Sequence, residues 1–241
     1  MKILLFSLFF GIHASAAELI VWNVGQGLWA TIATRNRCEH FDAGGEIAPW
    51  QMIEERCASA ENIAYFSHWD WDHVSWAAKM RRRLKSLCIG AMPGGTRHER
   101  RSKLFEKISL CEHRQHVKEL TDSQGFRQSS NDSSRVFVAE KSVLLPGDAT
   151  KTIERRLNTR ALRSIRFLIA GHHGSKTSTS NDLLRRLPHL KIAIASARKE
   201  KYGHPHPSVV TRLKERGISL LKTEDWGSIH IELPQETNQR R

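Results

Sequence analysis

The sequence predicts a mixed α/β (α+β) domain made of two half-sheets with helices around them. Two observations carry this prediction. Short β-rich apolar runs separated by Gly-rich turns dominate the first third of the chain, and strand and helix signatures alternate over the last third. Composition agrees: 39% of the 241 residues are hydrophobic and 26% charged, which excludes collagen-like, coiled-coil and disordered chains. No internal repeat and no long linker interrupts residues 18–241, so a single domain is expected there.

Residues 1–17, MKILLFSLFFGIHASAA, hold Lys2 as their only charge, an apolar run from Ile3 to Ile12 and the small residues Ala14, Ser15, Ala16 and Ala17. A basic start, a short apolar stretch and an Ala-x-Ala-like end are the layout of a signal peptide, with cleavage near Ala16/Ala17. The apolar run of roughly ten residues is about half of what a bilayer span requires. No later stretch is apolar for long enough, so an exported chain is expected, periplasmic or secreted, soluble and without stable membrane insertion.

Leu19 to Val24 reads as a first strand that stops at Gly25-Gln26-Gly27. Leu28 to Thr34 and Glu39 to Phe41 follow as strands, the latter ending at Asp42-Ala43-Gly44-Gly45, which together make a meander. Ile47 to Cys57 reads as a helix, and Asn62 to Phe66 as a buried strand running into the polar cluster Ser67 to His73. In Val74 to Leu84, Ala77, Met80 and Leu84 recur at helical spacing. Leu87 to Met92 is a strand stopped by Pro93-Gly94-Gly95. Thr121 to Ser134, rich in Ser, Gln, Asn and Asp, is a loop whose sole core candidate is Phe126. Arg135 to Leu145 reads as a strand pair or hairpin ending at Pro146-Gly147-Asp148. Strands over Ile165 to Ala170, Leu190 to Ala195, Ile218 to Leu221 and Ser228 to Leu233 then alternate with helices over Asn181 to Leu187 and Pro207 to Arg216. Proline is accepted in the first turn of that last helix because no intrahelical bond is lost there.

Cys38, Cys57, Cys88 and Cys111 are even in number, widely spaced and free of Cys-x-x-Cys pairs. In an exported chain this spacing predicts two disulfides rather than a zinc ribbon. Of the three pairings, Cys38–Cys57 with Cys88–Cys111 closes the shorter loops. The charge balance is strongly basic: 38 Lys and Arg against 25 Asp and Glu give +13. Removing residues 1–17 takes away Lys2 and no acidic residue, so +13 becomes +12. Such a surplus favours an anionic partner, either nucleic acid or an acidic envelope polymer.

The chemistry concentrates in Ser67-His68-Trp69-Asp70-Trp71-Asp72-His73, where four metal-competent side chains fall within six residues between a strand and a helix. Two imidazoles and two carboxylates are more than one four-coordinate ion needs once other segments contribute, so the excess points to two divalent ions. Asp148 leaves an apolar strand and can bridge two cations. Gly171-His172-His173-Gly174-Ser175 is a second strand-exit turn, in which one histidine can complete a metal shell while the other orients it or meets a phosphate. Tyr202-Gly203-His204-Pro205-His206-Pro207 places two further histidines in a stiff loop. Two basic runs, Lys79 to Lys85 with Arg81 and Arg82, and Arg97 to Lys103, offer phosphate contacts. Trp69, Trp71 and Trp76 surround the cluster, and exposed ones can stack on unpaired bases.

Asn23-Val24-Gly25-Gln26-Gly27, Asp42-Ala43-Gly44, the His-x-Asp-x-Asp-His cluster, Gly147-Asp148, His172-His173-Gly174-Ser175 and Tyr202-Gly203-His204-Pro205-His206-Pro207 occur in this order. Together they resemble the metallo-β-lactamase-fold domain of the competence protein family ComEC, over nearly all of residues 19–233. The resemblance implies an αββα sandwich of two mixed β-sheets flanked by helices, with metals at one edge, and a metal-dependent hydrolase. In that family the domain is attached to a membrane channel and is thought to degrade the DNA strand that is not imported. Asn23 and Leu28 replace family aspartates at positions that are not expected ligands. Asp70 stands where the wider fold commonly has a histidine, as in the competence family. His98, His113 and His116 sit in basic, helix-like contexts unlike the isolated histidine that many fold members carry.

These readings give an expected site. One ion is held by His68, Asp70 and Asp148, the other by Asp72, His73, Asp148 and His172, and together they activate a water for in-line attack on phosphorus. His173 or His204 stabilises charge on the phosphoryl oxygens, Asp42 supports the ligand loops, and Ser175, His206, Arg81 and Arg82 contact substrate. The carboxylate-rich set tilts the metal towards Mn²⁺, with Zn²⁺ as the alternative. The expected function is a nuclease or phosphodiesterase acting on single- or double-stranded DNA. Two rivals stand beside it: a hydrolase of a lactone, thioester or phosphorylcholine ester, and a non-catalytic DNA-binding protein with a structural metal site.

Overall fold

The computed structural model describes residues 17–112, 117–121 and 129–234. The expected signal segment up to Ala16, His113, His116 and Phe126 lie outside the described residues. The first sheet contains β1 (Glu18–Val21), β2 (Ala30–Ala33), β3 (Arg37–Phe41), β4 (Glu61–Tyr65), β5 (Leu87–Ala91) and β6 (Ser109–Leu110). The second contains β7 (Val117–Glu119), β8 (Phe137–Ala139), β9 (Val143–Leu145), β10 (Phe167–Ile169), β11 (Ile192–Ala195) and β12 (Ser219–Lys222), while β13 (Ile229–Glu232) returns to the first. The order in the first sheet is β13-β1-β2-β3-β4-β5-β6, and in the second β12-β11-β10-β9-β8-β7. Both sheets are mixed: β3 to β6 are mutually parallel, as are β9 to β12, and the remaining neighbours are antiparallel.

Central strands such as β9, β10 and β11 read as continuous apolar runs because both of their faces are covered. In β1, Leu19 and Val21 face the second sheet, whereas Ile20 packs into the outer layer of helices. In β9, Val143 and Leu145 face inward and Leu144 outward. The space between the sheets holds an aromatic cluster in which Phe41 stacks on Tyr65 with ring centres 5.3 Å apart, and Phe137 tilts against both. Outside the first sheet lie α1 (Trp50–Cys57), α2 (Trp71–Val74), α3 (Ala77–Arg83) and α4 (Glu99–Ser102). On the second sheet's side are α5 (Lys151–Arg156), α6 (Thr159–Leu162), α7 (Asn181–Arg185), α8 (Lys199–Tyr202), α9 (Pro207–Lys214) and α10 (Thr223–Trp226). The result is the layered αββα arrangement.

The expected single helix over Val74 to Leu84 is two. α2 ends at Val74 and α3 begins at Ala77, because the Trp76 N–H is drawn to the Ala43 carbonyl at 2.8 Å. The expected helix from Ile47 starts only at Trp50, after Pro49. The described end of the Thr121 to Ser134 loop contains a 3-10 turn over Asn131–Ser133 and buries Ser134. Both expected disulfides are formed, Cys38–Cys57 and Cys88–Cys111, with Cα separations of 5.9 and 5.1 Å. Among the described residues no helix is long and apolar enough to cross a membrane.

Parallel strands end together, and here both sheets end on the same side. Asp42 follows β3, Ser67 follows β4, Asp148 lies just beyond β9, His172 and His173 beyond β10, and Ser196 follows β11. Ligand sites of open α/β sheets gather at such carboxyl ends.

Candidate metal centre

The loop carrying Asp72 and His73 is held by backbone contacts to the two glycine motifs of the first strands. Leu28 N–H donates to the Asp72 carbonyl at 3.0 Å and Ala43 N–H to the His73 carbonyl at 2.8 Å. A Cβ on Gly44 would lie 2.3 Å from the peptide joining Asp72 and His73, so only glycine lets the Asp-Ala-Gly turn pack there. The β10 exit turns sharply enough that His172 and His173 both adopt left-handed backbone, with φ of 49° and 55°. That conformation disfavours residues with a Cβ, and here it points two adjacent imidazoles towards one centre.

Two groups of side chains converge. Ligand atoms of His68, His73 and Asp148 lie within 4.8 Å of one another, and so do those of Asp72, His73 and His173. His73 Nε2 is 3.1 Å from Asp148 Oδ1, and His173 Nε2 is 3.0 Å from Asp72 Oδ2 and 3.9 Å from Asp148 Oδ1. The other oxygen of Asp148, Oδ2, faces His68 Nε2 at 3.8 Å and His172 Nε2 at 3.6 Å. Asp70 Oδ2 is 3.4 Å from His68 Nε2. Thus His173 lies with Asp72 and His73, whereas His172 lies on the His68 side of Asp148, where it is more open.

The hydrogen bonds behind the ring assign each tautomer. Asp42 Oδ2 accepts from His73 Nδ1 at 2.8 Å, and a carboxylate requires that nitrogen to carry its proton. Ser67 Oγ–H donates to the same Asp42 oxygen at 2.8 Å, so Ser67 Oγ accepts from His68 Nδ1 at 3.0 Å. The Ser196 carbonyl accepts from His173 Nδ1 at 2.9 Å. These partners place a proton on Nδ1 of each ring, so in its neutral form each imidazole turns the Nε2 lone pair to the centre, the orientation a metal ligand needs. His68 Nε2, His73 Nε2 and Asp148 Oδ1 are buried yet make no hydrogen bond. Buried polar atoms are ordinarily paired, and three unpaired ones facing each other fit a divalent cation. His40 is the contrast, a buried histidine whose Nδ1 meets Trp29 and Thr31 and whose Nε2 meets Asn62.

The electrostatics follow the same geometry. Burial opposes charge on Asp148, but His73, His173 and His68 hold its carboxyl well below the usual range. Burial likewise opposes the charge on His73, which Asp148 and Asp42 nevertheless raise well above the ordinary imidazole value. Asp72 falls to about 2, with burial outweighed by His173 and His73. Asp70 is held well below its normal range by His68, with Ser130 and Arg101 assisting. Burial and the neighbouring imidazoles lower His172 and His204.

The remaining expected residues divide. His204 lies beside His172, ring centres 5.8 Å apart, and its Nδ1 is buried without a partner. His206 is turned to a helix end: its Nδ1 accepts from Ser208 N–H at 3.2 Å, capping α9. Ser175 is buried and bonds Thr177 Oγ1 at 3.0 Å, so it braces the histidine turn from within. Arg81 and Arg82 are exposed on α3. Trp69 is buried and Trp71 is 56% exposed. Arg101 was expected only within a phosphate-binding run; instead it donates to Asp70 Oδ1 at 3.1 Å and to the Trp69 carbonyl at 2.5 Å. Ser130 Oγ donates to the same Asp70 oxygen at 2.8 Å. Neither residue carries a local signature, because both reach the cluster from segments at least 31 positions away.

No protein-family model matches the chain. It is 26% identical over 232 residues to competence protein ComA of Neisseria gonorrhoeae, covering 90% of this chain and 32% of the relative. It is 27% identical over 226 residues to recombination protein 2 of Haemophilus influenzae, covering 89% and 28%. ComE operon protein 3 of Bacillus subtilis matches 105 residues at 33% identity, 42% of this chain and 14% of the relative. The chain thus spans a third or less of the length of the curated relatives it matches. Among solved structures it is similar to the metallo-β-lactamase-fold protein YhfI of Bacillus subtilis, with a TM-score of 0.53 and 11% identity over 90% of this chain and all of that one. Zn²⁺-bound PqqB of Methylobacterium extorquens gives 0.51 and 10% over the same shares. The chain has the metallo-β-lactamase fold and resembles the competence proteins.

Proposed function

We propose that this chain is an exported, metal-dependent phosphodiesterase that cuts DNA, with residues 1–17 as its signal peptide and residues 18–241 as one mature domain. The observation that carries the reading is the pair of adjacent ligand groups sharing His73, with Asp148 between them and every Nε2 lone pair facing inward. Similarity to the competence proteins and the +13 charge support a nucleic-acid substrate. The two disulfides support an oxidising compartment.

In this reading His68, Asp70 and Asp148, with His172 alongside, would hold one divalent ion, and Asp72, His73, His173 and Asp148 would hold the other. Three carboxylates beside the imidazoles favour Mn²⁺, with Zn²⁺ as the alternative. When bound, such a pair supplies Lewis acidity to a phosphoryl group and makes water nucleophilic near neutral pH. The protein's own part is orientation and proton control. Asp42 and Ser67 keep His73 and His68 in the ligating tautomer, and the Ser196 carbonyl does the same for His173. Arg101 and Ser130 occupy one oxygen of Asp70, leaving Oδ2 for the centre. His204, whose pKa is lowered by burial and its imidazole neighbours, is placed to donate an N–H hydrogen bond to a phosphoryl oxygen.

The test is cleavage of single- and double-stranded DNA by residues 18–241 with Mn²⁺, Mg²⁺, Zn²⁺ or EDTA, using Asp72→Ala as control. Metal-dependent cutting that is lost in the variant is the expected result. No cutting with any metal, in a protein that binds two ions, would refute the nuclease reading.

A further inference from the structure

Beside the candidate metal centre lies a cavity of about 590 Å³ whose lining includes Gln26, Glu46, Trp71, Asp72, Lys201 and Tyr202, together with Trp76. It shares Asp72 with the candidate metal centre, so the two sites adjoin. Its walls are aromatic in an unusual way: Trp71 is 56% exposed and Tyr202 43%, although both belong to otherwise ordered segments. Trp71 stands between the two aspartates of the cluster, whereas its neighbour Trp69 is buried in the core. The third ring, Trp76, packs edge-on against Trp50 with centres 6.0 Å apart, which fixes its position.

The polar side of the cavity is arranged around Glu46. Its Oε1 accepts from Lys201 Nζ at 2.7 Å and Tyr202 Oη at 3.2 Å, and its Oε2 from Gln26 N–H at 3.1 Å and Arg198 at 3.0 Å. Four donors saturate this carboxylate and hold it ionised, at about 2, chiefly through Lys201. Glu46 therefore acts as a clamp that presents the Tyr202 ring and neutralises its own repulsion of an approaching anion. An apolar, π-faced recess with a cationic margin beside a metal centre suits a flat ring attached to an anionic chain.

We infer that this cavity is a subsite for one unpaired nucleobase, with Trp71 as its stacking platform and Tyr202 as a second wall, so that the centre receives the phosphodiester of a single strand. The inference rests on the nuclease reading for its substrate. In a duplex each base is already stacked and paired, and its faces are closed to side chains, whereas every unpaired base offers a π-face regardless of sequence. A single-strand preference without a sequence preference follows.

The experiment is fluorescence anisotropy of metal-loaded protein with labelled phosphorothioate oligonucleotides, which resist hydrolysis. A thymidine single strand is compared with the same backbone carrying abasic sites and with a duplex. Stacking on one ring should make the base-bearing strand bind roughly 5- to 150-fold more tightly than the abasic one. Trp71→Ala should erase that ratio and Trp71→Phe should keep most of it, while Tyr202→Ala should reduce it. Equal binding of base-bearing and abasic strands, or an intact ratio in Trp71→Ala, would overturn the subsite. Its failure is separable from that of the nuclease reading: cutting without base preference removes only the subsite, and base preference without cutting removes only the hydrolytic role.

Discussion

Asp42→Asn isolates orientation from ligation, because Asp42 touches no inward-facing atom. The native carboxylate takes three donors: Ser67 N–H at 2.7 Å on Oδ1, and Ser67 Oγ–H and His73 Nδ1–H, both at 2.8 Å, on Oδ2. Asparagine keeps Oδ1 for the Ser67 N–H but presents an NH₂ to the other two. His73 must then accept at Nδ1 and carry its proton on Nε2, which turns a lone pair into an N–H facing Asp148 Oδ1, 3.1 Å away. Position 42 has φ of 55°, which asparagine adopts as readily as aspartate, so the backbone is undisturbed. Loss of such an orienting partner weakens metal affinity about 10- to 100-fold, or about 1.4 to 2.8 kcal/mol. Metal-free stability should fall by about 1.5–3 kcal/mol, the contribution of a hydrogen bond to a charged group. Isothermal titration with Mn²⁺ or Zn²⁺ reads the first quantity and urea unfolding in EDTA the second. A variant that folds and binds metal as tightly as the native chain would refute the tautomer argument.

Three further outcomes follow from the same structure. Glu39 is buried, and burial pushes its carboxyl from 4.5 to about 7 despite Arg37 3.6 Å away. Because the folded value is the higher one, its contribution is fully present below about pH 4.5 and is lost as pH rises through about 7, a loss of about 3 kcal/mol. Glu39→Gln should therefore stabilise the protein at pH 8 and change little at pH 4.5; an equal effect at both, by urea midpoint, would contradict this. Divalent metal at 100 times its Kd should stabilise the chain by about 2.7 kcal/mol, read as a rise in Tm, and Asp148→Ala should abolish the rise. Replacing the Cys88–Cys111 pair by serines opens a link between residues 23 positions apart and should cost about 3 kcal/mol in an unfolding titration; an unchanged midpoint would show that the crosslink does not stabilise the fold.

Much of the strand framework is readable because central strands such as β9 and β10 are buried apolar runs soon followed by Pro or Gly. Short charged helices such as α5, Lys151–Arg156, and α10, Thr223–Trp226, carry too few apolar positions to show a helical period. The His68-to-His73 cluster was legible since its members are contiguous, and the disulfides since their loops are short. The choice between His172 and His173 is not, because it depends on two consecutive left-handed residues, a backbone path that neither periodicity nor motif spacing reveals. The helix-capping role of His206 is equally hidden in the sequence, because the Pro-flanked turn that stiffens the loop also starts α9. Arg101 and Ser130 were invisible because their partner Asp70 is distant in the chain, and only the β5 exit and the 3-10 turn bring them back.

The aromatic layer between the sheets has a consequence beyond stability. His68, Asp72 and His73 are carried by the first sheet, and Asp148 and His173 by the second. Phe41, which stacks on Tyr65 and leans on Phe137 across the interface, is followed directly by Asp42. The separation of the two halves of the metal centre is thus set by ring packing, much as a spacer sets the gap of a vice. Trimming Phe137 would alter the bite of ligands that it never touches, and metal affinity becomes a gauge of how the sheets are seated.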